Sequence, residues 1–294
     1  MLKAGRPTPV QFWRAFFVLM LLGGARFANA GTPPTKLPDL AQVGKPDAAE
    51  AARLLAQFRQ AGIPGEFFLE VELRAMPRRG EERTYKGRLW GGRNANGAVT
   101  RVELTDATGA SHRLLIQNGE RPAVWRFGAG KVAQLGVADL FAPLIPGVEV
   151  TPFDVQMPFL YWPGATLERI VRVLGRPTYA YHFRAPPEFA AQHREVVAAR
   201  AYLDTQFNQL LQTELIGASN KVVKSFAFVS LKRVGDQHIP KQADYRNEIT
   251  RDKTRLQVTG AALGLRLPPA LFAPESLAQP GQPPAAGSIV RIEP

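Results

Sequence analysis

The chain has 294 residues, of which 45% are hydrophobic and 21% charged, enough for one large domain or two ordinary ones with a sizeable core. It has no cysteine, which excludes a disulfide-stapled scaffold, a thiol nucleophile and a lipid-modified cysteine. Its formal net charge of +12 points to an anionic surface or partner.

Lys3, Arg6 and Arg14 precede the apolar run AFFVLMLLGGA, and the small-residue site Ala28-Asn29-Ala30 follows. A positive start, a short apolar centre and an A-x-A site predict a secretory signal over residues 1–30, cleaved near Ala30. The run is shorter than the roughly 20 apolar residues that cross a bilayer. Cleavage removes four cations and no acid, so the mature chain would begin near Gly31 with a net charge of +8. Export turns that charge away from nucleic acid and toward lipid headgroups or acidic envelope partners.

Residues 31–46 are Pro-rich and polar and read as a flexible leader. A helix follows in DAAEAARLLAQFRQAGIPG. Asp47 is its N-cap and Glu50 completes a capping box; Ala51, Leu54, Leu55 and Phe58 share a face, and Gly62 and Pro64 stop it.

In EFFLEVELR, Phe67, Leu69, Val71 and Leu73 alternate with Glu66, Phe68, Glu70 and Glu72, the period of a strand with one greasy and one wet face. TYKGRLWGG, GAVTRVELTD, SHRLLIQNG and AVWRFGAGKVAQL repeat the pattern between Gly and Asn turns, which predicts an antiparallel meander. The apolar stretch TPFDVQMPFLYWPG, residues 151–164, breaks the series with three prolines. TLERIVRVLGRP reads next as a helix, with Leu167, Ile170, Val171 and Leu174 on one face. Strands resume at PTYAYHFRAP and continue through about five more segments to DKTRLQVTGAAL. The expected class is α+β: one strongly curved antiparallel sheet of about 10–11 strands over residues 47–277, with helices on one side. The Pro/Gly-rich tail, 278–294, is expected to be loose.

Catalytic patterns are missing. No G-x-S-x-G occurs, and the histidines at 112, 182, 193 and 238 have no metal-ligand spacing. Gly130-Lys131 falls short of a phosphate loop because Val132 stands where Ser or Thr is required. Glu66, Glu70 and Glu72 read as a cross-strand charge ladder facing Lys86 and Arg88 rather than as an acid/base pair. Arg251, Lys253 and Arg255 share a strand face, read as solvated or as a headgroup or partner contact. The expectation is therefore a non-enzyme without metal or cofactor.

An open curved sheet has an inner face that must be covered, and a wide one leaves space for an acyl chain. The candidate lining is Phe67, Leu69, Val71, Leu73, Leu114, Ile116, Trp125 and Phe127 on the strands, with Leu256, Val258, Phe226 and Phe228 adding to the apolar excess. Met157, Phe159, Leu160 and Trp162 form the candidate movable cover.

From about Gly65 to Leu277 the chain resembles the LolA-like periplasmic proteins that sort outer-membrane lipoproteins. The resemblance rests on the signal without a lipidated cysteine, the first helix, the strand series and FDVQMPFLYW. It also rests on RAYLDTQFNQLLQTEL, KSFAFVSLKRV, IPKQADYRNEITRDKTRLQVT and LPPALFAP. It implies an unclosed β-barrel with a helical lid over a greasy cavity. It further implies a periplasmic carrier that takes acyl chains of lipoproteins or lipids from an inner-membrane donor to an outer-membrane acceptor, with transient contact at the membrane surface. A sensor of envelope lipids or lipoproteins built on the same fold is the alternative.

Overall fold

The computed structural model describes residues 45–119 and 121–293. The expected signal and nearly all of the leader lie outside these residues. Helix α1, Ala48–Gln60, starts as its sequence asks, with the Asp47 side chain accepting from the Glu50 backbone N–H at 2.8 Å. Glu50 does not complete the box; its carboxylate takes Arg53 one turn on.

Among the described residues thirteen strands form one antiparallel sheet and a fourteenth joins its side. Before the central insert come β1 (Glu66–Met76), β2 (Arg83–Asn94), β3 (Gly97–Thr105), β4 (Ser111–Gln117), β5 (Ala123–Gly128) and β6 (Lys131–Gln134). After it come β7 (Thr166–Val173), β8 (Arg176–Arg184), β9 (Ala198–Asp204), β10 (Leu210–Ile216), β11 (Val222–Val234), β12 (Gln237–Asn247), β13 (Lys253–Leu265) and β14 (Val290–Arg291). The spatial order is β6-β5-β4-β3-β2-β1-β13-β12-β11-β10-β9-β8-β7, with β14 on β13. The two meanders are thus fused at β1 and β13, which pair from Glu66–Leu265 to Met76–Lys253. The end strands β6 and β7 do not meet, so the sheet curves without closing.

Three local differences raise the strand count above expectation. AVWRFGAGKVAQL folds back on itself as the β5–β6 hairpin, because Ala129 and Gly130 both take positive φ, 49° and 77°, the backbone of a tight hairpin turn. TLERIVRV is strand β7, not a helix. Ile170, Val171 and Val173 are β-branched and suit a pleated surface, and Leu174 and Gly175, at φ 51° and 79°, return the chain onto β8. The third addition is β14, in the C-terminal segment.

That segment is also not loose. Leu267, Leu271, Phe272 and Ile289 pack on Phe68, Trp90 and Ala262 of the outer face, and Leu277 packs on Val99 and Leu115. Arg101 and Glu103 are buried beneath it. They pair with each other at 2.6 Å, and Arg101 also donates to the Ser276 hydroxyl at 2.8 Å and the Gln279 carbonyl at 2.5 Å. Glu103 accepts from the Gly281 N–H at 2.6 Å, and Trp90 donates to the Gln282 carbonyl at 3.2 Å. A Cβ on Gly281 would stand 3.0 Å from the Trp90 ring and 3.2 Å from Arg101 Nε, so a larger residue there would press on both side chains. Composition signalled mobility because the segment forms no long regular element; its backbone groups are instead satisfied by buried side chains.

Breaking this pair leaves a buried charge uncompensated. Arg101→Met is expected to lower stability by about 3–5 kcal/mol in urea unfolding, and Arg101→Met with Glu103→Leu to recover most of it. A loss below about 1 kcal/mol for the single variant would contradict a buried, strap-covered pair.

Candidate functional site

The concave face is filled by the chain itself. Leu73, Leu114, Ile116, Val102, Leu104 and Val124 on the first meander, and Phe183, Leu203, Leu215 and Phe226 on the second, close into one core with α1 and residues 140–162. The insert builds two short turns. In α2, Pro152–Gln156, Thr151 caps the N-terminus and Asp154 completes a reciprocal box; Pro158–Tyr161 is a 3₁₀ turn. Met157 links them at φ 49°, a left-handed residue that reverses the chain ahead of Pro158. The prolines thus open each turn and prevent one long helix.

Between them these turns plug the sheet. Phe153, Phe159 and Trp162 are 0, 1 and 8% exposed. Phe153 stacks on Phe141 with 4.4 Å between ring centroids, and Trp162 meets Phe189 of α3 (Pro187–Gln192) at 4.8 Å. Phe159 lies 6.1 Å from Phe183 on β8. Each aromatic pair adds roughly 0.5–1.5 kcal/mol beyond the area it buries.

Polar pins hold the plug to the sheet. Lys224 of β11 donates to Asp154 Oδ2 and to the Glu149 carbonyl, both at 2.5 Å. Asp154 also accepts from the Thr151 hydroxyl at 2.7 Å. Gln156 donates to the Gln117 carbonyl at 3.0 Å, and the Glu149 N–H to Thr254 Oγ1 at 2.8 Å. Arg59 Nε, from the last turn of α1, donates to the Leu160 carbonyl at 2.7 Å.

Beside the plug runs a groove of about 680 Å³ between α1 and residues 161–167. Ala51, Leu55, Trp162, Leu167 and Tyr181 give it an apolar floor and walls, with Arg59 and Tyr161 at one side. Burial raises the Tyr181 phenol to about 12, so it stays protonated while donating to the Ala51 carbonyl at 2.9 Å. Burial also raises the Tyr161 phenol and lowers the Arg59 guanidinium, which Tyr161 opposes.

The candidate lining divides. Leu73, Leu114, Ile116, Phe159, Leu160 and Trp162 belong to the main core, with Met157 packed against it. Phe67, Leu69 and Val71 lie in a smaller cluster with Val258, Ala261 and Ile292, bridged to the main core by Leu89 and Leu256. Trp125 and Phe127 do not line the concave side. Register places Trp125 opposite Leu115 and Phe127 opposite Arg113, and both pack with Leu277 on the outer face. Aromatic size masked the parity: Val124 and Arg126 are the residues of β5 that share a face with Ile116 and Leu114. Of the twelve candidates, only Trp162 borders the groove. Its other wall is α1: Ala51 and Leu55 belong to the stripe of Ala51, Leu54, Leu55 and Phe58 read in the sequence, and Arg59 was not singled out there.

A second groove, about 660 Å³, lies on the outer face. Its floor carries two rungs of the expected ladder, Glu70 opposite Arg88 and Glu72 opposite Lys86, whereas Glu66 lies outside it and accepts from the Leu267 N–H. Arg291 of β14 adds an ion pair to Glu70. Six charged side chains, Glu70, Glu72, Lys86, Arg88, Glu103 and Arg291, line this groove beside Val71, Gly87, Thr105, Ser111, Thr259 and Pro280. Arg255 and Lys253 reach Asp244 at 2.7 and 3.4 Å and Arg251 reaches Glu248 at 2.7 Å, so that basic trio is paired within the fold. Among the described residues no three His, Asp or Glu side chains gather as a metal site, and no helix is long and apolar enough to cross a membrane.

No family model matches the chain, and no curated protein matches it in sequence. Solved structures do match in shape. A domain classed as an outer membrane lipoprotein-sorting protein, from Vibrio parahaemolyticus, superposes with a TM-score of 0.66 at 14% identity, covering 78% of this chain and 97% of its own. A DUF1329 family protein from Desulfovibrio piger gives 0.65 at 12% identity, covering 78% and 98%. A LolA superfamily protein from Nitrosomonas europaea gives 0.57 at 14% identity, covering 76% and 97%. The fold is therefore LolA-like: a large, unclosed, strongly curved antiparallel sheet with few helices.

If the pins hold the plug, Asp154→Ala is expected to destabilise by about 3 kcal/mol, because it strands Lys224 in a half-buried site. Proteolysis within 151–164 should accelerate while α1 stays protected. Unchanged stability and unchanged cleavage would show that packing alone seats the plug.

Proposed function

We propose that this chain binds acyl chains of lipids or lipoproteins without covalent chemistry and carries them between membranes of the cell envelope. The observation that carries this reading is the plug: residues 151–162 occupy the concave face of an open sheet beside an apolar groove. Similarity in fold to a lipoprotein-sorting domain supports it, as does the predicted export signal.

In this reading an acyl chain enters along the groove between α1 and residues 161–167. Trp162 and Phe159 withdraw, and the chain takes their place against Phe183, Phe189 and Leu215. A sixteen-carbon chain gains about 12 kcal/mol at roughly 0.8 kcal/mol per CH₂. The side chains of the moving end, Met157, Phe159, Leu160 and Trp162, give up about 1.5–3 kcal/mol each, roughly 6–12 kcal/mol together. The two quantities are similar in size. Loading is therefore possible, and reseating of the plug drives release to an acceptor. The ion pair between Lys224 and Asp154 anchors the N-terminal end of the plug while its C-terminal end moves. Donor at the inner membrane, acceptor at the outer membrane and brief contact with the membrane surface complete the cycle.

Binding of a fluorescent acyl probe tests this. Trp162→Ala removes a side chain that both borders the groove and plugs the core, so probe affinity should rise severalfold. Phe159→Ala is expected to cost about 3–5 kcal/mol of stability, since the plug is packed like a fixed core. Absence of probe binding by the native protein and by Trp162→Ala would overturn the proposal.

A further inference from the structure

Arg59 sits in the last turn of α1 and borders the groove, yet it makes no ion pair among the described residues. Its Nε donates to the Leu160 carbonyl, and its guanidinium carbon lies 5.4 Å from the Tyr161 ring centroid. Several other buried cations meet carboxylates, as Arg101 meets Glu103, Lys224 meets Asp154 and Arg200 meets Glu168 and Glu214, whereas Arg126 of the concave face, like Arg59, makes no ion pair among the described residues. The one carboxylate among the residues lining this groove is Asp47, and it is engaged in capping α1. Lys45 lines the same groove, so its two cations face a single acid that is already committed.

A half-buried cation in an apolar groove is costly unless an anion or a set of hydrogen bonds meets it. The carbonyl end of α1 supplies part of that compensation, about half a negative charge. It does not supply a partner for the Nη edge. That edge is a planar fork of donors, suited to two oxygens of a carboxylate or phosphate.

We propose that the groove takes an amphiphile with one acyl chain and a single anionic headgroup, carboxylate or phosphate, whose charge is met by Arg59 while the chain enters past Ala51, Leu55 and Leu167 into the place Trp162 leaves. This rests on the acyl-binding reading and adds the charge class of the ligand. Arg59 then has two roles that alternate. With the plug seated it holds the Leu160 carbonyl; with the groove loaded it holds the headgroup. Exchange of one acceptor for the other couples headgroup arrival to release of the C-terminal end of the plug.

The test uses the native protein and three competitors with the same sixteen-carbon chain, each displacing a fluorescent acyl probe below its aggregation limit. The competitors are palmitate, palmitoyl lysophosphatidic acid and the neutral monopalmitoyl glycerol. At least one anionic competitor should bind about tenfold tighter than the neutral one, the worth of one charge-assisted contact. Equal gains for both place the preference in charge alone, and a gain for only one names carboxylate or phosphate as the source. Arg59→Gln should abolish the anionic preference and leave the neutral competitor within about twofold. Arg59→Lys should keep part of it, since charge remains but the fork is lost. Equal binding of all three by the native protein would overturn the headgroup assignment and leave acyl binding standing. A uniform loss for all three in Arg59→Gln would also overturn it, reducing Arg59 to support of the plug. Failure of all three to bind would overturn both.

Discussion

Everything in this structure depends on how the concave face of an unclosed sheet is kept from water. A closed barrel fills its interior with strand side chains. Here the end strands β6 and β7 do not meet, so no strand seals the gap. The seal comes from a proline-interrupted insert that carries Phe153, Phe159 and Trp162 into the hollow, and from α1 beside it. The insert stands between two meanders in sequence and between their two inner faces in space. Its aromatic density is what covers both.

The same sheet needs a second cover on its convex side. Over β1 to β5 the C-terminal segment supplies one, burying Phe68, Trp90, Leu115 and the Arg101–Glu103 pair. Two covers of different character result. The convex one is fixed to the sheet by backbone groups that bond to buried side chains. The concave one consists of short turns held by packing and a few polar pins, with an open groove along one flank. A cover assembled from single turns has few internal backbone bonds of its own, so side-chain packing and the polar pins hold it in place.

Much of this was legible in the sequence because strand parity is a direct image of a two-faced sheet. Phe67, Leu69, Val71 and Leu73 share one parity as read, and Glu70 and Glu72 face Arg88 and Lys86 in the expected register, but Phe68, read on the wet face, is buried under the C-terminal segment. What misled were positions where two periods fit the same letters. Leu167, Ile170, Val171 and Leu174 satisfy a helical stripe, yet three β-branched residues and a Leu174-Gly175 turn decide for a strand. Trp125 and Phe127 were assigned inward by size, whereas pairing with Leu115 and Arg113 sets them outward. The tail was read from Pro and Gly content, which reports the lack of regular structure and not the lack of partners. The groove could not be read at all, because it forms where α1 and residues 161–167 meet, about a hundred positions apart.

The central claim is that plug and acyl chain compete for one hollow. Amide hydrogen exchange of the native protein, with and without saturating palmitate, measures this directly. Competition predicts that protection of residues 157–164 falls on loading while β1 and β13 keep theirs. Unchanged or increased protection across 157–164 with palmitate bound would contradict it, and would make the plug a permanent part of the core.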